Sequence, residues 1–318
     1  MAIQRPRTLA IPTLLFVGVS TRGSFINRLF PVWAEAMKLG PVALEGIDLP
    51  PGAPAEAVRD AVKYILEAPL ARGALVTTHK IAVYEHARDL FSALDDNAQR
   101  LGEISCIAKS PAGLVGTAKD PITAGLGLDA LVSAEHWRNH PEACGLLLGC
   151  GGANVALAAN LLGRATDERP QSIIMCDVHA ERLSKAREHL AAFGAASYVD
   201  FRPTGSADEN DRLLAALPPG SLVVNGTGLG KDRPGSPLTD AAQFPQRGLV
   251  WEFNYRGSLE FLRQAEAQAV ARQLTVADGW RYFLFGWSHV IAEIFEVALD
   301  DTLAARLEAV AEDLRTAS

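Results

Sequence analysis

The sequence has no cysteine pair: Cys106, Cys144, Cys150 and Cys176 include no C-x-x-C spacing. That excludes a zinc ribbon or a dithiol redox centre, and free thiols in apolar surroundings pack as small hydrophobes. A basic excess is lacking too. With a formal net charge of -7, the chain offers no clustered positive surface for nucleic acid or for an anionic membrane, so a small-molecule partner is expected. No apolar run approaches the roughly 20 residues that span a bilayer, and the opening "MAIQRPRTLAIPTLLFVGVS" lacks the small-residue cleavage pattern of a signal peptide. A cytoplasmic location is the expectation. His136 and His140 in "EHWRNH" have the i, i+4 spacing of a metal pair, but the glutamate of H-E-x-x-H and a nearby third ligand are missing. No metal is expected. Fixed-period repeats and low-complexity linkers are likewise absent.

What is present is an alternating chain. At 318 residues, 48% hydrophobic and 21% charged, it can bury two cores. Short β-rich runs recur at "LLFVGVS" (14–20), "VALEGIDL" (42–49), "GALVTTH" (73–79) and "GLVGTAK" (113–119), with helix-like stretches such as "EAVRDAVKYILEA" (56–68) between the first three. A second series follows at 145–149, 172–177, 196–201, 221–226, 248–253 and 274–279, with "ANVALAANLL" and "AERLSKAREHLAAF" as the clearest crossovers. Six apolar strands in that rhythm predict a Rossmann-type, doubly wound parallel sheet. The fold class is therefore α/β, with an N-terminal α/β domain over 1–122 and the doubly wound domain over 123–281. The helical tail over 282–318 has no strand left to cross to and is expected to return to the first domain.

The strongest chemical signal is "GLLLGCGGANVALAANLLG". Gly149, Gly151, Gly152 and Ala153 sit where a buried strand turns into a helix, so the backbone can approach a pyrophosphate and leave it facing the helix N-terminus. Asn154 occupies the third glycine position of G-x-G-x-x-G. Asp177 ends the next strand, where a carboxylate accepts from both ribose hydroxyls of NAD and repels the 2′-phosphate of NADP. NAD is thus the expected cofactor, in preference to NADP. The alternative for Asp177 is a cap on the following helix.

With these motifs in order, the chain resembles the shikimate dehydrogenase family over nearly its whole length. "ALVTTHK" is similar to the family's N-V-T-x-P-x-K, and "LGEISCIAKSPAGLVGTAKD" to its G-A-V-N-T with the following N-T-D. "LLLGCGGAN" is similar to its G-A-G-G-A loop and "NGTGLG" at 225–230 to its N-A-T-x-x-G. The resemblance implies reversible reduction of a cyclohexene ketone with a nicotinamide cofactor, by a lysine and an aspartate in the cleft between the two domains. Residue by residue these are Lys80 and Asp120, and Asn225, Thr227 and Gly279 join the cofactor set. Hinges are expected near 121–128 and 279–286. Chemistry supports the same pair: hydride transfer to a carbonyl builds negative charge on oxygen, which a lysine can protonate while a carboxylate orients it. Lys80 also follows a strand's carboxyl end, where open α/β sheets place ligands.

The departures from the family are concentrated around the substrate. The proline of V-T-x-P-x-K is gone and Thr78 and His79 stand there; Ser105 replaces the asparagine of A-V-N-T, and N-T-D has become Ala118-Lys119-Asp120. The paired serines of H-S-x-S-P have no clean counterpart, leaving Ser20, Thr21, Arg22 and Ser24. Gly286 stands where the family has a substrate glutamine, which makes Trp287 and His289 substrate candidates, although an aromatic in such a helix is more often core, and Tyr255 matches the family's tyrosine after the fifth Rossmann strand. A polar ring is recognised by complementary hydrogen bonds, so this rewriting implies an altered substrate. The expected activity is that of an oxidoreductase on a small hydroxylated, carboxylated cyclic compound such as shikimate or quinate. A dehydrogenase of another cyclic or polyol acid, and a non-catalytic nucleotide-binding regulator, are the alternatives. A monomer or homodimer is expected.

Overall fold

The computed structural model describes residues 6, 8–133, 135–194, 197–231 and 233–317. Residues 1–119 with 284–318 cluster into one compact unit and residues 120–283 into a second.

The first unit runs β1 (Thr13–Gly18), α1 (Ile26–Ala36), β2 (Ala43–Asp48), α2 (Ala55–Glu67), β3 (Ala71–Val76), α3 (Lys80–Ala87), β4 (Phe91–Leu94), α4 (Asp96–Leu101), β5 (Cys106–Ser110) and β6 (Gly113–Thr117). Its sheet has the order β2-β1-β3-β5-β6-β4. β1 pairs in parallel with β2 and β3, whereas β5 is antiparallel to both β3 and β6. Every residue of β1 is buried, the pattern of a strand covered on both faces. α2 turns Val58, Ala61, Val62 and Ile65 inward at helical spacing, which is why "EAVRDAVKYILEA" reads so clearly. β4 and β5 are not legible in the sequence: "FSAL" is short, and "CIAKS" loses its apolar character after three residues. Both join β6 at the side of the sheet away from β1.

The second unit begins with α5 (Asp120–Asp129) and α6 (His136–Asn139) and continues through β7 (Gly145–Leu148), α7 (Gly152–Leu162), β8 (Ile173–Asp177), α8 (Ala180–Ala191), β9 (Val199–Pro203) and α9 (Ala207–Ala215). β10 (Leu222–Asn225), β11 (Leu249–Glu252), α10 (Glu260–Glu266), α11 (Ala269–Arg272) and β12 (Thr275–Ala277) complete it. All six strands are parallel in the order β12-β11-β10-β7-β8-β9, a doubly wound sheet whose order reverses between β7 and β10. The expected third strand of this series is displaced toward the C-terminus, and Ala196, where it was to begin, lies outside the described residues. α7 is buried almost all round because α5 packs over it; a Cβ on Gly125 would lie 2.3 Å from Asn160 Nδ2.

α12 (Trp280–Ile294) leaves the second unit and α13 (Asp301–Thr316) ends the first. The C-terminal helices pack back on the first unit: buried Trp33 of α1 donates its indole N–H to Leu307 O at 2.9 Å. Trp287 stacks edge-on against Phe16, with ring centroids 4.9 Å apart, and is 4% exposed, so it belongs to the core.

Candidate functional site

In the first unit the predicted substrate residues gather where β1, β2, β3 and β6 end. The turn after β1 is tied to β2: Thr21 is buried and gives both its backbone N–H, at 2.9 Å, and its hydroxyl, at 2.7 Å, to Asp48 Oδ1. Ser20 is exposed and Ser24 half-buried beside it. After β3, Thr77 donates its hydroxyl to Val17 O at 3.2 Å, Thr78 is exposed, and buried His79 holds Leu49 O through Nε2 at 2.9 Å. Lys80 is the first residue of α3 and is half-buried; its carbonyl accepts from Ile104 N–H at 3.1 Å. Asp120 opens α5 in the second unit, a favourable end of the helix dipole for a carboxylate.

Ser105 is buried, and its Oγ accepts the Lys119 backbone N–H at 2.8 Å. The hydroxyl therefore helps hold the chain just before Asp120. Beside it lies a cluster that sequence reasoning missed. Lys119 forms an ion pair with Glu293 of α12, and the same carboxylate accepts from Thr117 Oγ1 at 2.9 Å. Cys106 Sγ donates to it at 3.6 Å, and burial, with Glu293 next, pushes that thiol's pKa up. His289, one turn before Glu293, is half-buried and bonded through Nδ1 to Phe285 O at 3.0 Å. Burial lowers its pKa, the Phe285 carbonyl opposes this, and the Lys119 charge adds to the lowering, so the ring is held toward its neutral form.

In the second unit, Gly149, Gly151, Gly152, Ala153, Asp177, Asn225 and Thr227 meet at the carboxyl edge of the sheet, where the strand order reverses. Gly149 has φ +91°, and a Cβ there would lie 3.0 Å from Thr227 Cα. Gly151 differs. Its φ of -78° suits any residue, and a Cβ would meet only Gly226 O at an ordinary 3.7 Å. Neither backbone nor protein packing requires a glycine there, so the space beside it is a cradle at the N-terminus of α7 that a side chain would fill. Asn154 is wholly buried: its Nδ2 donates to Leu148 O at 2.9 Å and Gly149 O at 2.7 Å, binding the turn from within. Asp177 is buried, with Oδ2 accepting Cys150 N–H at 2.8 Å and Oδ1 accepting His179 N–H at 2.9 Å. Two accepted bonds leave a carboxylate further lone pairs for ribose hydroxyls. Arg182 Nη1 lies 3.9 Å from Asp177 Oδ2, a cation that the sequence reading overlooked.

The remaining predicted residues have local partners. A Cβ on Gly279 would lie 2.0 Å from Phe253 O, so close backbone packing requires that glycine. Tyr255 packs against Phe283 with the rings tilted and their centroids 4.5 Å apart, and neighbours Trp280. Burial pushes the Cys150 thiol up to about 12, which keeps it protonated and unreactive within the glycine loop. The His136 and His140 rings bond to Gly220 O at 2.8 Å and to His136 O at 3.0 Å. No group of metal-ligating side chains is found among the described residues, and no helix among them is long and apolar enough to cross a membrane.

No protein-family model and no curated protein sequence matches this chain. Solved structures do. A quinate dehydrogenase from Corynebacterium glutamicum in complex with NAD superposes with a TM-score of 0.71 at 17% identity, over 94% of this chain and 98% of that one. A shikimate 5-dehydrogenase from Listeria monocytogenes in complex with shikimate and NAD gives 0.69 at 14% identity, over 97% and 98%. The Thermus thermophilus shikimate 5-dehydrogenase in complex with NADP(H) and shikimate gives 0.66 at 21% identity, over 95% and 99%. The chain has the fold of the shikimate dehydrogenase family.

Proposed function

We propose that this protein is a shikimate dehydrogenase-like oxidoreductase of the cytoplasm that moves a hydride between a nicotinamide dinucleotide and a small hydroxylated, carboxylated cyclic compound such as shikimate or quinate. The observation that carries the reading is Gly151, a glycine required neither by its backbone angles nor by its protein neighbours, at the start of α7 in a doubly wound sheet. A pyrophosphate would fit beside it, meeting backbone N–H groups left unpaired by the helix. Support for the activity comes from the fold shared with dehydrogenases of both compounds.

Bound nicotinamide dinucleotide would supply or accept the hydride. Lys80 would protonate the oxygen that gains negative charge as a ketone is reduced, and receive that proton in the reverse direction. Asp120 would orient the ammonium and the neighbouring substrate hydroxyl. Asp177 favours NAD over NADP by accepting from the ribose hydroxyls, although Arg182 beside it softens the repulsion of a 2′-phosphate.

A second reading, a dehydrogenase of a different cyclic or polyol acid with the same chemistry, is favoured by one specific feature. Ser105 is engaged by the Lys119 N–H, and Lys119 with Glu293 brings an ion pair to the strand end next to Asp120. The test is a screen of shikimate, quinate and related hydroxy acids with NAD and NADP, following absorbance of the reduced nicotinamide. Turnover of shikimate or quinate supports the first reading, turnover of another acid alone supports the second, and none with any acid removes the enzyme.

A further inference from the structure

Glu252 is wholly buried at the end of β11, and the chemistry described so far does not use it. Its Oε2 accepts from Asn225 Nδ2 at 2.6 Å, and its Oε1 accepts from Asn254 N–H at 2.8 Å. The Asn225 amide is fixed in turn. Its Oδ1 accepts from Thr227 N–H at 3.1 Å and from the Thr227 hydroxyl at 2.7 Å, while Thr227 Oγ1 accepts from Leu229 N–H at 3.2 Å. A backbone N–H can only donate, so each direction in this chain is forced, from Leu229 through Thr227 and Asn225 to the carboxylate. Both carboxylate oxygens therefore face obligatory donors, and these bonds are charge-assisted and strongest when the acid is ionised.

A proton on Glu252 would remove the charge from both bonds and add a donor beside one of these two groups. The Asn254 N–H belongs to the backbone of the same segment and cannot reverse. The Asn225 amide can, by turning Oδ1 toward the new proton, but it then abandons both bonds to Thr227. Thr227 is the residue whose Cα would lie 3.0 Å from a Cβ on Gly149, so the turn it controls stands against the glycine loop.

We infer that Glu252 is a positioning residue: its ionised carboxylate, acting through Asn225, sets the Thr227–Leu229 turn beside the glycine loop for dinucleotide binding, and its protonation releases that turn. The inference rests on the dinucleotide reading above and adds a proton link to it. Burial, reinforced by the like charge of Asp278 after β12, raises the Glu252 pKa to about 7, against the opposing bonds from Asn254 and Asn225. The other charged or titratable groups on the adjoining segments are Lys231 and Arg233 after β10, and Tyr255 and Arg256 after β11. Arg233 bonds the outer side of the turn, at Thr227 O. The switch thus falls in the physiological range.

The test uses the full chain and Glu252→Gln, whose uncharged amide must set a donor against one of the two N–H groups and so imitates the protonated form. In protein labelled with 15N-threonine, the Thr227 amide resonance should titrate near pH 7 in the parent and stay flat in Glu252→Gln. NAD affinity by calorimetry should fall by about fivefold from pH 8 to pH 6 in the parent, the worth of one net hydrogen bond. It should show no such fall in the variant. NAD binding near pH 6.5 should release protons, seen as a dependence of the heat on buffer ionisation enthalpy. A Thr227 resonance that does not move between pH 5.5 and 8.5 overturns the inference even if NAD binds. A titrating Thr227 in a protein that binds neither NAD nor NADP leaves the switch standing and overturns the dinucleotide reading instead.

Discussion

The side-chain amide of Asn154 occupies the space that a side chain on Gly226 would need: a Cβ there would lie 2.5 Å from Asn154 Nδ2. Asn154 cannot withdraw without giving up its bonds to Leu148 O and Gly149 O, both inside the protein. The third position of the glycine motif therefore joins the turn after β7 to the turn after β10. Gly226→Ala should destabilise the fold by ~1–3 kcal/mol through overpacking. Replacing Asn154 by Ala in that background removes the clash together with the two bonds, so the double variant should lose less than the two single losses combined. Urea denaturation of the four proteins measures this coupling; strict additivity would separate the two loops.

The chemistry assigned to Lys80 predicts a distinctive kinetic pattern. An ammonium that protonates a developing alkoxide acts mainly in the transition state, so Lys80→Ala should lower kcat by ~10²-fold or more and leave NAD affinity nearly unchanged. Lys80→Arg should recover little, because a guanidinium does not exchange a proton near neutral pH. Asp120→Asn should reduce turnover and substrate affinity together. Steady-state kinetics on the substrate found by the screen, with calorimetry for NAD, gives both quantities; near-normal kcat in Lys80→Ala would leave Lys80 as an ordinary helix-start lysine.

The Rossmann strands were legible because a parallel strand buried on both faces reads as an apolar block, as at "GLLL" and "LVVN". The two strands overlooked, β4 and β5, are short or mixed in character. The pairing of Lys119 with Glu293 escaped notice because 174 positions separate them, and only the return of α12 to the first unit brings the carboxylate to the strand end. Glu252 was equally silent. A lone acid after "LVW" has no periodicity of its own, and its meaning depends on what the Asn225 amide faces. Gly279 was placed in the cofactor set through the resemblance, and its packing need was not legible because the Phe253 carbonyl that requires a glycine there lies on a different segment of the chain.

The proposed preference for NAD turns on Asp177 and Arg182. Ionised Asp177 repels a 2′-phosphate, so NAD should bind more tightly than NADP, and Asp177→Ala should narrow the gap by losing ribose contacts and relieving that repulsion. The same substitution frees the Cys150 N–H, so NAD affinity should fall by ~10-fold, the effect of losing a charge-assisted bond. Arg182→Ala should weaken NADP more than NAD, because only NADP carries the added charge. Calorimetric titration with each dinucleotide decides it, and tighter NADP binding by the parent protein would reverse the assignment.

Glu252 also predicts a pH dependence of folding that runs opposite to that of an ordinary paired carboxylate. Its pKa rises from 4.5 to about 7 in the folded protein, so between those values the native state holds a proton that the unfolded chain has lost. Stability from this group is then fully present below about pH 4.5 and declines as pH climbs toward 7, by up to ~3 kcal/mol over the interval. The fold is favoured by the protonated acid, whereas the Thr227 turn is set by the ionised one, so the two demands oppose each other near neutrality. Glutamine at 252 does not titrate. The unfolding free energy of the parent relative to Glu252→Gln should therefore drop as pH rises from 5 to 8, whatever the other ionisable groups contribute, since they are common to both proteins. Denaturant titrations of the pair at half-unit pH intervals measure that difference directly, and a difference that stays constant with pH would return the Glu252 pKa to the ordinary carboxylate range.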